Sequence, residues 1–550
     1  MRLLRFSMPL LLFVAAGCGQ QEPAQQQPTP PLPAVVEPAA HPFEILPDSV
    51  KAVGRLASLK QTAQQSHDFS QAGLERPARE WTRQLILSLL SLQDPVGVDP
   101  DRPIWFLAWQ EPLTVDNMVA IVPLQDRARF LARLGARRLD ENTYRHLNNT
   151  ILLRHHWAVM AKDETVEPVQ DWLNEPESLP RLQTLSPDGG LSLWLDDAHA
   201  VRAYGPGLIE DASNLLGSTS QTLLAPFLSL LQQWAERITA QSAFVRLDLT
   251  ADSNELALQK HVRVTSESEF AAALQNFKPN EPVYPALPGA TMAQSWVQLP
   301  MDVLAPAKQA ITADLQTLGA TADSVNHYWT QIESAWTGHA HWVQGATQPA
   351  VWMIGVRDRA QTQSLINRLA GSVEEQFIDI GESEDLLVRF EHQPPVGEES
   401  AGAFTLRMFD EEEAALLQSP WQDFALNLGY AFHHESLLLV TRGDLPAIRN
   451  ALDFSQPQSP PAPQAMFHLQ FDPIQFLKQV SQEDGGLIPV AQLIQISLPP
   501  GASTPPITLT MQPGQQSLDA RLRVPAESVR QVMTAIRPFL SLLNPQGEEG

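Results

Sequence analysis

Two stretches of this chain, residues 43–280 and 281–541, carry the same local patterns in the same order. Each opens on a Leu-Pro pair that precedes a strand-like segment and a helix-like segment. Each continues with an apolar strand that runs into Asp-Arg-Ala, at Asp126 and at Asp358, and then into an amphipathic helix. A single short match of this kind arises by chance, but a shared order does not. The order therefore predicts an internal duplication.

The strongest match closes each stretch. Hairpins with alternating apolar and polar residues over 244–265 and 507–525 are each followed by a segment with apolar residues three and four positions apart. These periods are typical of half-buried antiparallel strands and of amphipathic helices. We expect the two halves to share one strand order. We also expect Phe270 to pack on the first sheet and Val529 on the second.

These patterns predict an α+β fold made of two tandem, divergent repeats of mainly antiparallel sheets, each covered on one face by helices. The first repeat is expected over 43–280 and the second over 281–541, followed by a disordered tail over 542–550. A Gln-, Pro- and Ala-rich stretch over 18–42 has no hydrophobic period and predicts an extended, disordered tether before the body.

The first 18 residues combine two arginines, a short apolar run and small residues that lead into Cys18, the only cysteine of the chain. A charged start, an apolar centre and a small-residue end predict a signal peptide over 1–17, too short to span a bilayer comfortably. The pattern resembles the lipobox of bacterial lipoproteins. The resemblance implies cleavage before Cys18 and acylation of its thiol and of the new N-terminus.

The residue after Cys18 also bears on location, because lipoproteins kept in the inner membrane usually carry Asp there. The resemblance therefore implies that Gly19 favours the outer membrane, with the body on the periplasmic side. If Cys18 is acylated, no thiol remains for disulfides, nucleophilic catalysis or metal thiolates.

The chain is strongly acidic, with 62 Asp and Glu against 37 Lys and Arg and a formal net charge of −25. A surface of that sign repels nucleic acid and anionic lipid headgroups, so neither is expected as a partner. Attachment to the bilayer is expected through the lipid on Cys18 and not through a basic patch.

Histidine pairs are the most suggestive chemical feature. His155, His156, His433 and His434 stand at matching places in the two halves, in predicted hairpin turns, and are weak metal-ligand candidates. Solvated polar turns explain them as well. His339 and His341 are two residues apart, which places both on one face of a strand, next to tryptophans that favour packing.

Other motifs point to no reaction. The acidic run over 410–413 suits the first turn of a helix. The chain has no G-x-S-x-G, H-E-x-x-H or phosphate-loop motif, so we predict neither an enzyme nor a cofactor.

The layout is similar to uncharacterised families of large exported bacterial proteins, a resemblance that implies no activity and no site residues. The sequence thus favours a membrane-anchored lipoprotein with a non-catalytic binding or scaffolding role in the cell envelope. Its partners would be the bilayer, through acylated Cys18, and envelope proteins. Two alternatives remain: a carrier of lipid or another apolar ligand, and an envelope hydrolase without a local motif.

Overall fold

The structure is a computed structural model. It describes residues 43, 45–74, 82–84, 86–87, 90, 92, 94–109, 118–185, 190–196, 241–278, 284–286, 291–298, 322–345, 351–372, 375–379, 385–393, 401–410, 425–433, 435–441, 453–458, 462, 464–477 and 504–543.

Strands outnumber helices in these ranges. The strands are β1 Ala52–Leu56, β2 Ile104–Ala108, β3 Met118–Pro123, β4 Arg137–Arg138, β5 Thr143–His146, β6 Asn149–Arg154, β7 Trp157–Lys162, β8 Leu191–Asp196, β9 Ser242–Ala251, β10 Glu255–Val264, β11 Tyr284–Ala286, β12 Thr291–Gln298, β13 Trp336–Gly345, β14 Val351–Val356, β15 Glu375–Asp379, β16 Asp385–Gln393, β17 Ala401–Asp410, β18 Ala425–His433, β19 Ser436–Thr441, β20 Asp453–Gln458, β21 Phe467–Phe471, β22 Ile507–Pro513 and β23 Ser517–Pro525. The helices are α1 Leu59–Leu74, α2 Arg127–Leu134, α3 Asp163–Leu173, α4 Ser178–Thr184, α5 Glu269–Gln275, α6 Ala322–Ala335, α7 Arg359–Ser372 and α8 Ala526–Leu543.

The described strands, apart from a separate β11–β20 pair, form one 21-stranded sheet in which all pairings are antiparallel. Its order is β4-β5-β6-β7-β3-β2-β1-β8-β9-β10-β23-β22-β21-β12-β13-β14-β19-β18-β17-β16-β15. The predicted mainly antiparallel α+β architecture is therefore present. The expectation of two sheets is wrong, because β10 and β23 join edge to edge.

The strand order reads the same outward from the β10–β23 junction in both directions. One side runs β10-β9-β8-β1-β2-β3-β7 and the other runs β23-β22-β21-β12-β13-β14-β19. At the junction Lys260 lies opposite Ala520. The second strands of the two closing hairpins share an Arg-Val pair, at Arg263 and at Arg523. Aligning these pairs makes Lys260 equivalent to Ala520, so β10 and β23 pair symmetrically about equivalent residues.

Helices cover both faces of the sheet in residues 43–196, which corrects the expectation of one covered face. Neighbouring residues of a strand point to opposite faces, so Trp105 and Ile104 enter different cores. The Trp105 face packs against α3 and α4 through residues such as Trp172. The Ile104 face packs against α1, α2 and the residues near Leu87.

The repeated Asp-Arg-Ala signature has a local physical cause. Asp126 has an extended backbone, and its carboxylate accepts a hydrogen bond from the Arg129 N–H at 3.0 Å, which begins α2. Asp358 accepts one from the Gln361 N–H at 2.9 Å as α7 begins. A carboxylate at the N-cap satisfies an otherwise unpaired backbone donor of the first turn.

The two helices that close the halves pack differently. Phe270 in α5 is buried among residues of β9 and β10, as expected, and the same cluster includes Met466 and Leu518 of the second half. In α8, Val529 lies against Gly73 of α1 in the first half, where an added Cβ would come within 3.3 Å of the Val529 Cβ. The sequence did not predict this contact of Val529 with the first half. Helix α8 also ends at Leu543, two residues into the predicted tail.

Two glycines give a matched test of the backbone around α2. Gly97 and Gly135 both have positive φ, +83° and +62°. A Cβ on Gly97 would lie 2.5 Å from the Asp126 carbonyl oxygen, whereas one on Gly135 would meet nothing within 4 Å. We expect Gly135→Ala to cost about 1 kcal/mol of unfolding free energy and Gly97→Ala roughly 2–3 kcal/mol. Urea unfolding of both variants tests the difference, and equal losses would contradict the crowding at Gly97.

Candidate functional site

The anchor predicted from the sequence, Cys18, lies outside the described residues, as does the tether over 18–42. The structure therefore leaves the lipidation site as a prediction. Within its described part, no helix is both long enough and apolar enough to cross a membrane.

The histidine pairs do occupy hairpin turns where these are described. His155 and His156 are exposed between β6 and β7, and His155 has a positive φ of 50°. His433 is the last residue of β18 and lies opposite Ser436, while His434 is outside the described residues. The two turns are separated by the central strands of the sheet, so the pairs do not converge on one ion. No described group of three or more His, Asp or Glu residues is arranged to hold a metal.

His341 belongs to a buried aromatic row that crosses three strands. It stacks on Trp296, with ring centroids 3.6 Å apart, and His468 lies opposite Trp296 on the other neighbouring strand. The Nδ1 atom of His468 is 2.8 Å from the Thr510 hydroxyl. Burial lowers the pKa of His341 to about 3 and that of His468 to about 4. Both rings are therefore neutral at physiological pH.

Other histidines, tryptophans and acidic residues either pack inside the protein or lie outside the described residues. His339 shares a strand face with His341, and burial together with the Arg357 charge lowers its pKa. Trp194 and Trp105 stack in the first-half core at 6.3 Å. The acidic run begins at the last residue of β17, and 411–413 lie outside the described residues.

A chain of charged residues crosses the junction on the Trp105 face; we call it the junction network. On one side, Asp248 is 7% exposed, accepts a hydrogen bond from the Ser192 hydroxyl at 2.6 Å and pairs with Arg246 Nε at 2.7 Å. At the junction itself, His261 Nδ1 lies 2.7 Å from Asp519 Oδ1. His261 is 3% exposed.

Further along β10, the Glu255 carboxylate accepts hydrogen bonds from two arginines of β23, in the other half. Arg523 Nε donates to it at 2.7 Å and Arg521 at 3.3 Å. Arg55 extends the junction network toward the core: its guanidinium lies 5.6 Å from the Trp105 ring centroid. Burial lowers the Arg55 pKa, and the Asp248 charge opposes that shift.

The sequence did not predict the junction network. The charged residues that alternate with apolar ones in FVRLDL and LDARLRV are equally typical of a strand whose polar face is exposed to solvent. A signal was present, since both closing hairpins carry charges of opposite sign on one face. Two of these interactions cross the junction, His261 with Asp519 and Glu255 with Arg523, and they favour one register because a one-residue slip of β10 against β23 would separate both.

One described cleft, of about 370 Å³, lies at the start of α1 between Ser58, Lys60, Gln64 and Asp101. Its lining side chains are polar or charged at their ends, and their aliphatic parts supply most of the surface that faces the cleft. Comparison of the chain with protein-family models, curated proteins and solved structures gives no match.

Proposed function

We propose that this protein is a bacterial lipoprotein, anchored through acylated Cys18, whose body has a non-catalytic binding or scaffolding role in the cell envelope. The observation that carries the proposal is the position of the only cysteine, directly after a signal-like segment that ends in small residues. Gly19 after it supports the outer membrane, with the body facing the periplasm.

We further propose that the body arose by duplication of an α+β unit. Three observations support this origin: the shared strand order outward from the junction, the matching N-caps at Asp126 and Asp358, and the pairing of Lys260 with Ala520. The junction network supports the scaffolding role, since the His261–Asp519 contact and the hydrogen bond from Arg523 to Glu255 join the two halves in one continuous sheet.

Replacement of the anchor tests the proposal. We expect Cys18→Ser to release the protein from membranes into the soluble fraction after a salt wash, because lipid supplies the stable attachment. Metabolic labelling with an alkyne fatty acid should mark the natural chain and not the variant. Gln20→Ser, two residues away, is the matched control and should keep both label and membrane attachment.

Retention of the Cys18→Ser protein in salt-washed membranes, without label on the natural chain, would refute lipoprotein anchoring. Density separation of the inner and outer membranes in the same preparation tests the location. Mass spectrometry of what co-purifies with the intact protein separates the two roles: envelope proteins are expected for a scaffold and stoichiometric lipid for a carrier.

A further inference from the structure

One end of the sheet carries a charge opposite to that of the whole protein. Residues 127–156 contain seven arginines and only two carboxylates, Asp140 and Glu141, in a chain of net charge −25. They form α2, β4, β5, β6 and the turns between them, and β4 is the outermost described strand at this end. We call this surface the cationic end. Its arginines are Arg127, Arg129, Arg133, Arg137, Arg138, Arg145 and Arg154.

Part of this positive charge is paired with nearby carboxylates, and part is exposed to a partner. The first five of those arginines are exposed. Arg127 donates to the Asn142 amide oxygen at 2.9 Å and Arg138 to the Asp140 backbone carbonyl at 2.8 Å, so neither bond neutralises the cation. Arg129, Arg133 and Arg145 have carboxylate partners in Asp126, Asp94 and Asp163.

Two exposed leucines lie in the turns at the two ends of β5, next to the arginines of the cationic end. Leu139, between β4 and β5, is 53% exposed, and Leu147, between β5 and β6, is 73% exposed. Leu147 also has a positive φ of 51°, a conformation that a leucine rarely adopts. Exposed apolar side chains beside arginines suit the boundary between lipid headgroups and acyl chains.

We propose that the cationic end binds the surface of a bilayer that contains anionic phospholipids. Arginines near such a surface are attracted to its negative potential, and the two leucines would enter the headgroup region. The rest of the body, being acidic, is repelled, so the protein binds in one orientation with β4 toward the lipid. This binding is independent of Cys18 and therefore of the proposed anchoring.

The test uses the full chain with Cys18→Ser, so that no acyl group contributes, in co-sedimentation with vesicles. We expect binding to phosphatidylcholine vesicles that contain phosphatidylglycerol, and roughly tenfold or more weaker binding to pure phosphatidylcholine or in high salt. Arg137→Gln with Arg138→Gln, on the exposed edge strand, should weaken the binding severalfold. Leu147→Asn should also weaken it, and Asn suits the left-handed backbone.

The matched control is Arg357→Gln with Arg530→Gln, which removes the same charge from two exposed positions of the second half and should leave binding unchanged. Far-ultraviolet circular dichroism checks that all variants fold. Equal binding to both vesicle types, equal loss in the control, or binding to heparin without binding to anionic vesicles would overturn the proposal. The last outcome would indicate a polyanion partner instead of a membrane.

Discussion

Lowering the pH from neutral to about 4 should destabilise the folded body by on the order of 5 kcal/mol through His341 and His468 alone. Burial holds their pKa values at about 3 and about 4, against an ordinary value of 6.5. When the pH lies between the folded-state pKa values and the ordinary value, these two histidines bind protons in the unfolded chain but not in the folded one. The free energy of unfolding is therefore highest at pH values above the ordinary pKa of 6.5, and it decreases as the pH falls from 6.5 toward 4.

Urea midpoints measured across that pH range test the expectation. In the double variant His341→Phe with His468→Asn, the aromatic ring retains stacking on Trp296, and the amide retains a hydrogen-bonding group near Thr510. This variant should lose most of the pH dependence. His155→Asn with His156→Asn removes two exposed histidines and should leave the dependence as it is. An unchanged slope in the buried variant would show that these rings do not govern acid stability.

Asp248→Ala should destabilise the body by about 3–5 kcal/mol, because it removes one partner of a buried charge pair. Arg246 would lose its carboxylate, the fully buried Ser192 its acceptor, and half-buried Arg55 a nearby anion. Asp248→Asn retains an oxygen for the Ser192 hydroxyl and should cost less than Asp248→Ala.

The matched control is Asp101→Ala, which breaks the exposed ion pair with Lys60 and should cost less than about 1 kcal/mol. Urea unfolding of the three variants at neutral pH supplies the comparison. Similar small losses for Asp248→Ala and Asp101→Ala would show that the Asp248 carboxylate is solvated in the folded protein and that the junction network does not stabilise it.

The sequence predicted those features that depend on neighbouring residues. The hairpins over 244–265 and 507–525 are confirmed, because alternation with a period of two marks a strand wherever one face is buried. The helix that follows Asp126 is confirmed as well, because an N-cap needs only its own first turn. His155 and His156 lie in a turn, as predicted, since a hairpin reverses within two residues.

The net charge of the chain does not describe every part of its surface. A net charge of −25 argued against anionic lipid, yet the arginines of 127–156 are brought together on one end of the sheet. Coulomb interactions are screened over about 10 Å at ordinary ionic strength, so a partner responds to the local charge and not to the total. Counting charges in windows along the sequence would have found this cluster.

By itself, the sequence determined the local periods, the helix caps, the hairpins and the mainly antiparallel α+β class, because each is encoded within a few residues of itself. Only the tertiary structure decided that the halves share one sheet and that Val529 packs on Gly73. It also decided that His261 meets Asp519, 258 positions away. These contacts depend on which edges and faces meet after the strands have formed, and periodicity carries no information about the partner of an edge.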